Sequence, residues 1–246
     1  MIYRSDYMEK IKVFKDTPLV KILTGVRRCG KSTILQMLKE ELIRDGIPEE
    51  NIIEKRYTDM DIPENISAKQ MYDELIEAIG KKEPCYLLLD EIQEVPDWER
   101  VVNTLLEDGK ADIYITGSNS KLMSSEISTY LTGRYIQIPV FTLSFKEYVE
   151  FKKGGKLSDR EMLEEYIRFG GFPIIALGEY ESQQAYQIVN GIYYTVVSRD
   201  IVKRHRINKQ DLFDRVVKYI IENVGKTFSA NSISNFLKSE HRKVSV

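Results

Sequence analysis

The chain has 246 residues, 42% of them hydrophobic and 30% charged, with a formal net charge of −2. That is enough apolar material for one large domain or two smaller ones, and it excludes a nucleic-acid binder acting through overall positive charge. Cys29 and Cys85 lie in different predicted elements without CxxC spacing, which argues against a disulfide framework or a zinc site and fits a reducing cytoplasm.

The start, Met1-Ile2-Tyr3-Arg4-Ser5-Asp6, has no apolar stretch of signal-peptide length. The longest apolar runs, Tyr86-Leu87-Leu88-Leu89 and Phe172-Pro173-Ile174-Ile175-Ala176-Leu177, are too short to span a bilayer, so no membrane association is expected. Charge is uneven along the chain. Residues 1–150 carry 20 Lys and Arg against 27 Asp and Glu, a net −7; residues 151–246 carry 16 against 11, a net +5. The basic back part hints weakly at an anionic partner, protein or nucleic acid, since solvated basic helical faces are common and account for it more readily.

In chain order, Leu19 to Thr24 reads as a strand ending at Gly25. Lys31 to Arg44 reads as a helix with Ile34, Leu35, Leu38 and Leu42 on one side, ended by Asp45-Gly46. Asn51 to Tyr57 is a second strand. Ser67 to Ile79 is a helix capped by Ser67, with a stripe of Met71, Leu75, Ile76 and Ile79. Cys85 to Leu89 is apolar on both faces, as a buried parallel strand is, and ends in Asp90-Glu91. Asp97 to Leu106 is a helix, Asp112 to Thr116 a fourth strand, and Tyr135 to Val140 a fifth. Strands alternating with helices predict an α/β fold: a parallel sheet sandwiched by helices, with ligands at the carboxyl ends of its strands.

After Thr142 the pattern is helical. Helices are predicted over Ser144–Lys152, Asp159–Phe169, Glu181–Lys203, Gln210–Val224 and Ala230–Lys238.

Gly25-Val26-Arg27-Arg28-Cys29-Gly30-Lys31-Ser32 satisfies G-x-x-x-x-G-K-[ST] between a strand and a helix, so it reads as the phosphate loop of a P-loop nucleotide-binding protein. Its backbone N–H groups would wrap phosphates, and the helix N-terminus adds partial positive charge. Lys31 is expected to contact the β- and γ-phosphates of ATP, and Ser32 to ligate Mg²⁺. Gly25, Arg28, Cys29, Gly30 and Thr33 complete the expected nucleotide-binding set. Arg27 and Arg28 are read chiefly as solvent-facing, and Cys29 as oxidation-sensitive if its pKa is lowered.

Asp90, 59 residues after Lys31, fits a Walker-B aspartate on the metal, and Glu91 the residue that orients the attacking water. The fourth strand ends at Thr116-Gly117-Ser118-Asn119-Ser120, where Asn119, with Ser118 beside it, is placed to meet the γ-phosphate or the water. Arg134, just before the fifth strand, is a candidate to neutralise charge on the transferred phosphoryl group, from its own chain or from a neighbouring copy.

Taken together, GVRRCGKST, LLLDEIQEVPDWE, ITGSNS, LTGRY and FGGFP resemble the uncharacterised prokaryotic ATPases of the AAA+ superfamily with a winged-helix-containing C-terminal domain. The resemblance covers essentially the whole chain. It implies a sensor residue at Ser118 or Asn119 and an arginine finger at Arg134, and leaves Arg168 and Arg199 as candidates for a second sensor. It also implies that relatives are longer. Phe228 to Leu237 looks like the first part of a helix-turn-helix and the chain ends at Val246, so this segment is expected to be a partial winged helix, with DNA binding in doubt.

Three other readings compete. Asn208-Lys209-Gln210-Asp211 matches a guanine-reading pattern but follows Arg204-His205-Arg206-Ile207 rather than an apolar strand, so Asn208 is read as a helix cap. A small-molecule kinase would need an acceptor site. A nucleotide-gated binding switch with little hydrolysis is the main alternative, and the basic run Arg199 to Arg206 is its candidate contact to nucleic-acid phosphates.

The expected protein is therefore a cytoplasmic ATPase requiring ATP and Mg²⁺, acting alone or as a homo-oligomer. It has an ATPase core over 1–152, a helical lid over 153–207 and a partial winged helix over 208–246.

Overall fold

The computed structural model describes residues 2–63, 65–118, 130–155, 157–203 and 206–239, without the side chains of Ser118, Arg199, Asp200 and Lys203. Asn119 therefore lies outside the described residues. Two compact units divide at Tyr194 and Thr195.

The first unit is built on five parallel strands: β1 (Val20–Gly25), β2 (Ile52–Arg56), β3 (Tyr86–Asp90), β4 (Asp112–Ser118) and β5 (Tyr135–Pro139). Their order across the sheet is β2-β3-β4-β1-β5. β1 pairs in parallel with β4 and β5, placing Gly25 opposite Ser118 and Thr24 opposite Pro139. Side chains alternate across each strand. Leu87 and Leu89 of β3, Ile113 and Ile115 of β4, and Val20 and Ile22 of β1 face one side, where helices α3 (Ala68–Ile79) and α4 (Trp98–Glu107) pack with Met71, Leu75, Trp98, Val102 and Leu105. Tyr86, Leu88, Tyr114 and Leu23 face the other, covered by α1 (Ser5–Val13) and α2 (Lys31–Arg44) with Met8, Ile11, Ile34 and Leu38. Both faces of the central strands are thus buried, which is why they read as unbroken apolar runs.

Helix starts follow capping chemistry. Ser67 and Gln70 form a reciprocal capping box at α3. Ser144 and Glu147 do so at α5 (Phe145–Phe151), and Ser158 and Glu161 at α6 (Asp159–Phe169). Each cap contributes about 1 kcal/mol. Beyond the sheet, α5, α6, α7 (Pro173–Leu177) and α8 (Ser182–Thr195) share a third core of Leu143, Tyr148, Met162, Phe169, Ile175 and Ala185.

In the second unit, α9 (Gln210–Glu222) and α10 (Ala230–Ser239) meet through Tyr219. Its ring centroid lies 5.8 Å from that of Phe228 and 4.9 Å from that of Phe236. Two expectations need correction. The helix expected over Glu181–Lys203 is α-helical only to Thr195; Val196–Lys203 is a π-helix, because side-chain periodicity does not report the backbone hydrogen-bond register. Asn208 does not cap α9, since the N-cap is Lys209 with no side-chain cap bond. Among the described residues no helix is long and apolar enough to cross a membrane.

Candidate functional site

The phosphate loop joins β1 to α2, and its two glycines are required for different reasons. Gly30 has φ +104, a left-handed conformation closed to most side chains. Gly25 is required by close approach: a Cβ there would stand 2.2 Å from the Val140 carbonyl oxygen and 2.7 Å from Cys29 Sγ. Val140 is tied to the same strand end, its N–H donating to the Thr24 carbonyl at 2.6 Å.

Lys31 is 4% exposed. Its ammonium donates to the carbonyls of Gly25 at 3.0 Å and Val26 at 3.1 Å, so it lies inside the loop's curve. Arg28, Gly30, Lys31, Ser32 and Thr33 line a cavity of about 410 Å³, and Glu91 reaches it from the end of β3. The opposite wall is apolar: Pro173, Ile174 and Leu177 of α7, then Gly178 and Tyr180.

Asp90 and Glu91 are arranged by one residue of the neighbouring strand. The Thr116 hydroxyl on β4 donates to Asp90 Oδ1 and accepts the Glu91 N–H at 3.1 Å. Thr116 is fully buried. Arg56, at the end of β2, donates from Nε to the other Asp90 oxygen at 3.1 Å. Glu91 itself takes a left-handed conformation, φ 52, which breaks the strand. Gln93 Nε2 donates to Glu91 Oε2.

The AAA domain family matches residues 17–149, more than half of the chain. The chain belongs to that family. A Domain of unknown function (DUF8612) matches residues 160–245. Relatives of this AAA domain protein include an uncharacterized protein of Haemophilus influenzae, 35% identical over 98% of this chain and 60% of its own length. Uncharacterized protein MJ1544 of Methanocaldococcus jannaschii is 33% identical over 92% of this chain and 52% of its own. The chain thus spans little more than half the length of these relatives. Among solved structures, the S. cerevisiae Hsp104:casein complex aligns with a TM-score of 0.50 at 14% identity, over 96% of this chain and 48% of that one, a likeness of fold. Membership of the AAA domain family supports a nucleotide-binding, ATPase-like protein.

The AAA site thus gathers Arg28, Gly30, Lys31, Ser32, Thr33 and Glu91 around one cavity, with Asp90 adjoining Glu91 in the chain. Cys29 is not among the cavity-lining residues. It is fully buried, and burial pushes its thiol pKa up, against the weaker lowering influence of Lys31 and Arg4. The condition for an oxidation-sensitive thiolate, a lowered pKa, is therefore not met. Arg168 donates to the Tyr186 hydroxyl at 3.0 Å and stacks over Phe169 and Tyr186, away from the cavity lining. Arg199's side chain lies outside the described residues.

Arg134 stands at the opposite end of the sheet. Its carbonyl accepts the N–H of Val20, where β1 begins, whereas the phosphate loop follows Gly25, where β1 ends. Its guanidinium pairs with Glu107 and, at 2.9 Å, with Asn103 on α4. Five residue-to-residue rises of about 3.3 Å each separate the two ends of β1, so Arg134 does not reach the cavity of its own chain.

Sequence reasoning missed Thr116 as an organiser, Arg56 as a partner of Asp90, and the α7 wall. The FGGFP motif was the available signal for that wall. A Cβ at Gly171 would stand 2.2 Å from the Leu143 carbonyl oxygen, so this glycine lets the segment dock against the connection that follows β5.

Proposed function

We propose that this protein binds MgATP in the cavity between the phosphate loop and α7 and hydrolyses it, using the cycle to drive motion of its helical regions. The observation that carries the reading is Glu91 lining the same cavity as Lys31 and Ser32, next in the chain to an Asp90 oriented by Thr116.

The Ser32 hydroxyl and the Asp90 carboxylate are hard oxygen donors, the type magnesium takes. Bound magnesium would neutralise charge on the phosphoryl oxygens. Lys31 exchanges its loop carbonyls for phosphate oxygens. Glu91 accepts a hydrogen bond from the attacking water and aims it at the γ-phosphorus. The apolar α7 wall excludes bulk water, and the ring of Tyr180 offers a surface for the base. Arg134, facing away from its own cavity, serves the cavity of a second copy.

Lys31→Ala is expected to weaken ATP binding at least ~30-fold, because truncating one partner of a buried hydrogen-bonded charge pair costs about 2–5 kcal/mol. Equilibrium titration checks it; unchanged affinity would move the phosphates elsewhere.

The deciding experiment is phosphate release from ATP over a range of protein concentrations, with wild type, Arg134→Ala, Glu91→Gln and mixtures of the two variants. Turnover per chain should rise with concentration, and Arg134→Ala alone should lose about 10³-fold. Mixing it with Glu91→Gln should restore part of the rate, each mutant supplying what the other lacks. Turnover independent of concentration would overturn the shared site. ATP bound without phosphate release would replace hydrolysis by a nucleotide-gated switch.

A further inference from the structure

Arg4 precedes α1 and lies outside every motif of the phosphate site. Its residue is 3% exposed, yet each of its nitrogens has a partner. Nη1 donates to the Cys29 carbonyl at 3.1 Å and to the Phe141 carbonyl at 3.2 Å. Nη2 donates to the Phe141 carbonyl and to Glu147 Oε2, both at 3.2 Å. Nε donates to Glu147 Oε1 at 2.8 Å. The guanidinium also lies over the Tyr7 ring, 4.4 Å from its centroid, and the Tyr7 hydroxyl accepts the Phe141 N–H at 3.1 Å. A planar, always charged fork is the group suited to such a junction, because it fixes several acceptors in one plane. Burying it is costly unless its charge is matched, and Glu147 matches it.

The contact with Cys29 has a consequence for the phosphate loop. A trans peptide unit is planar, so its C=O and N–H point in opposite directions. Holding the Cys29 carbonyl therefore sets the direction of the Gly30 N–H in the same plane. Gly30 lines the cavity, and a Cβ on it would lie 3.6 Å from Arg4 Nη1. Arg4 thus stands behind the loop and the Gly30 N–H is turned away from it.

We propose that Arg4 is a positioning residue for phosphate binding: it pins the Cys29–Gly30 peptide so that the Gly30 N–H presents to the phosphates, while Glu147 of α5 holds the guanidinium in place. The inference rests on the reading of the cavity as an ATP site. It also makes α5 the first helix beyond the sheet to be tied mechanically to the loop. Arg4 touches no phosphate itself.

The test is ATP affinity, KM and kcat of the full chain for Arg4→Lys and Glu147→Gln, with melting temperature measured alongside. An ammonium supplies a point charge and not the fork, so Arg4→Lys should raise both the ATP Kd and KM about 10- to 100-fold. The value of kcat at saturating ATP should stay within about threefold, because a backbone contact made equally in ground and transition states is uniform binding. Glu147→Gln keeps an amide oxygen to accept the Ser144 N–H and so keeps the α5 cap, but it removes the countercharge. It should shift Kd in the same direction by about 3- to 10-fold.

A merely structural role would lower the melting temperature and leave Kd per folded molecule unchanged. Folded Arg4→Lys with wild-type Kd and KM overturns the inference alone. Absence of ATP binding by wild type overturns the inference and the ATP reading together. If Arg4→Lys melts below the assay temperature, Glu147→Gln decides on the same criterion.

Discussion

Glu91→Gln is expected to bind ATP within about threefold of wild type and to release phosphate roughly 10²- to 10⁴-fold more slowly, the range attributed to one positioned acid–base group. The replacement is isosteric, and its amide oxygen still accepts from Gln93 Nε2, so local packing is retained. What is lost, on the proposed mechanism, is the anionic acceptor that would hold and aim the attacking water. Binding by titration and single-turnover phosphate release separate the two effects. Wild-type turnover in the variant would show that another group orients the water. Loss of binding together with turnover would mean that the carboxylate supports the cavity rather than the chemistry.

Asp112→Asn should be strongly destabilising although it lies far from the cavity. Asp112, at the start of β4, accepts from the fully buried Lys21 ammonium on β1. Its second oxygen accepts from the Tyr114 hydroxyl at 2.7 Å and the Asp16 N–H at 2.9 Å. Burial, followed by the Asp112 charge, pushes the Tyr114 phenol pKa up, so the phenol remains a proton donor. An amide presents a donor where two donors already converge, and it leaves Lys21 charged without a countercharge. Removing one member of a buried pair costs about 3–5 kcal/mol. For a chain of this size that is a fall in Tm of roughly 6–20 °C. Adding Lys21→Met should recover part of the loss, because the stranded charge is then gone. A single variant melting with wild type would show that Lys21 finds another acceptor.

The phosphate loop and the Asp90-Glu91 pair could be read from the sequence because their signals are local. An apolar strand, a glycine-rich turn and an amphipathic helix lie within about two dozen residues, and the apolar run Tyr86 to Leu89 marks a strand buried on both faces. Long-range relations carry no such signal. Arg4 and Glu147 are 143 residues apart, and Asp90 and Thr116 are 26 apart on separate strands. Helix α1 was not expected, since Arg4 provides no side-chain cap and only Tyr7, Met8 and Ile11 are buried among charged neighbours. The run Phe172 to Leu177 stood out as apolar, but nothing in its composition placed it across from Lys31. The motif marks Gly25 as a glycine, but not the proximity of Val140 that excludes a side chain there.

The Thr116 hydroxyl has a consequence for the order of events in a catalytic cycle. A hydroxyl has one proton, and here it is committed to Asp90, while its lone pair receives the Glu91 backbone. The aspartate and the glutamate are therefore geared to a single rotor on β4. Any rearrangement that draws Asp90 toward a cation pulls on the same oxygen that anchors the Glu91 peptide. In the cycle proposed above, the residue that would hold the cation and the residue that would aim the water are thus synchronised mechanically through Thr116.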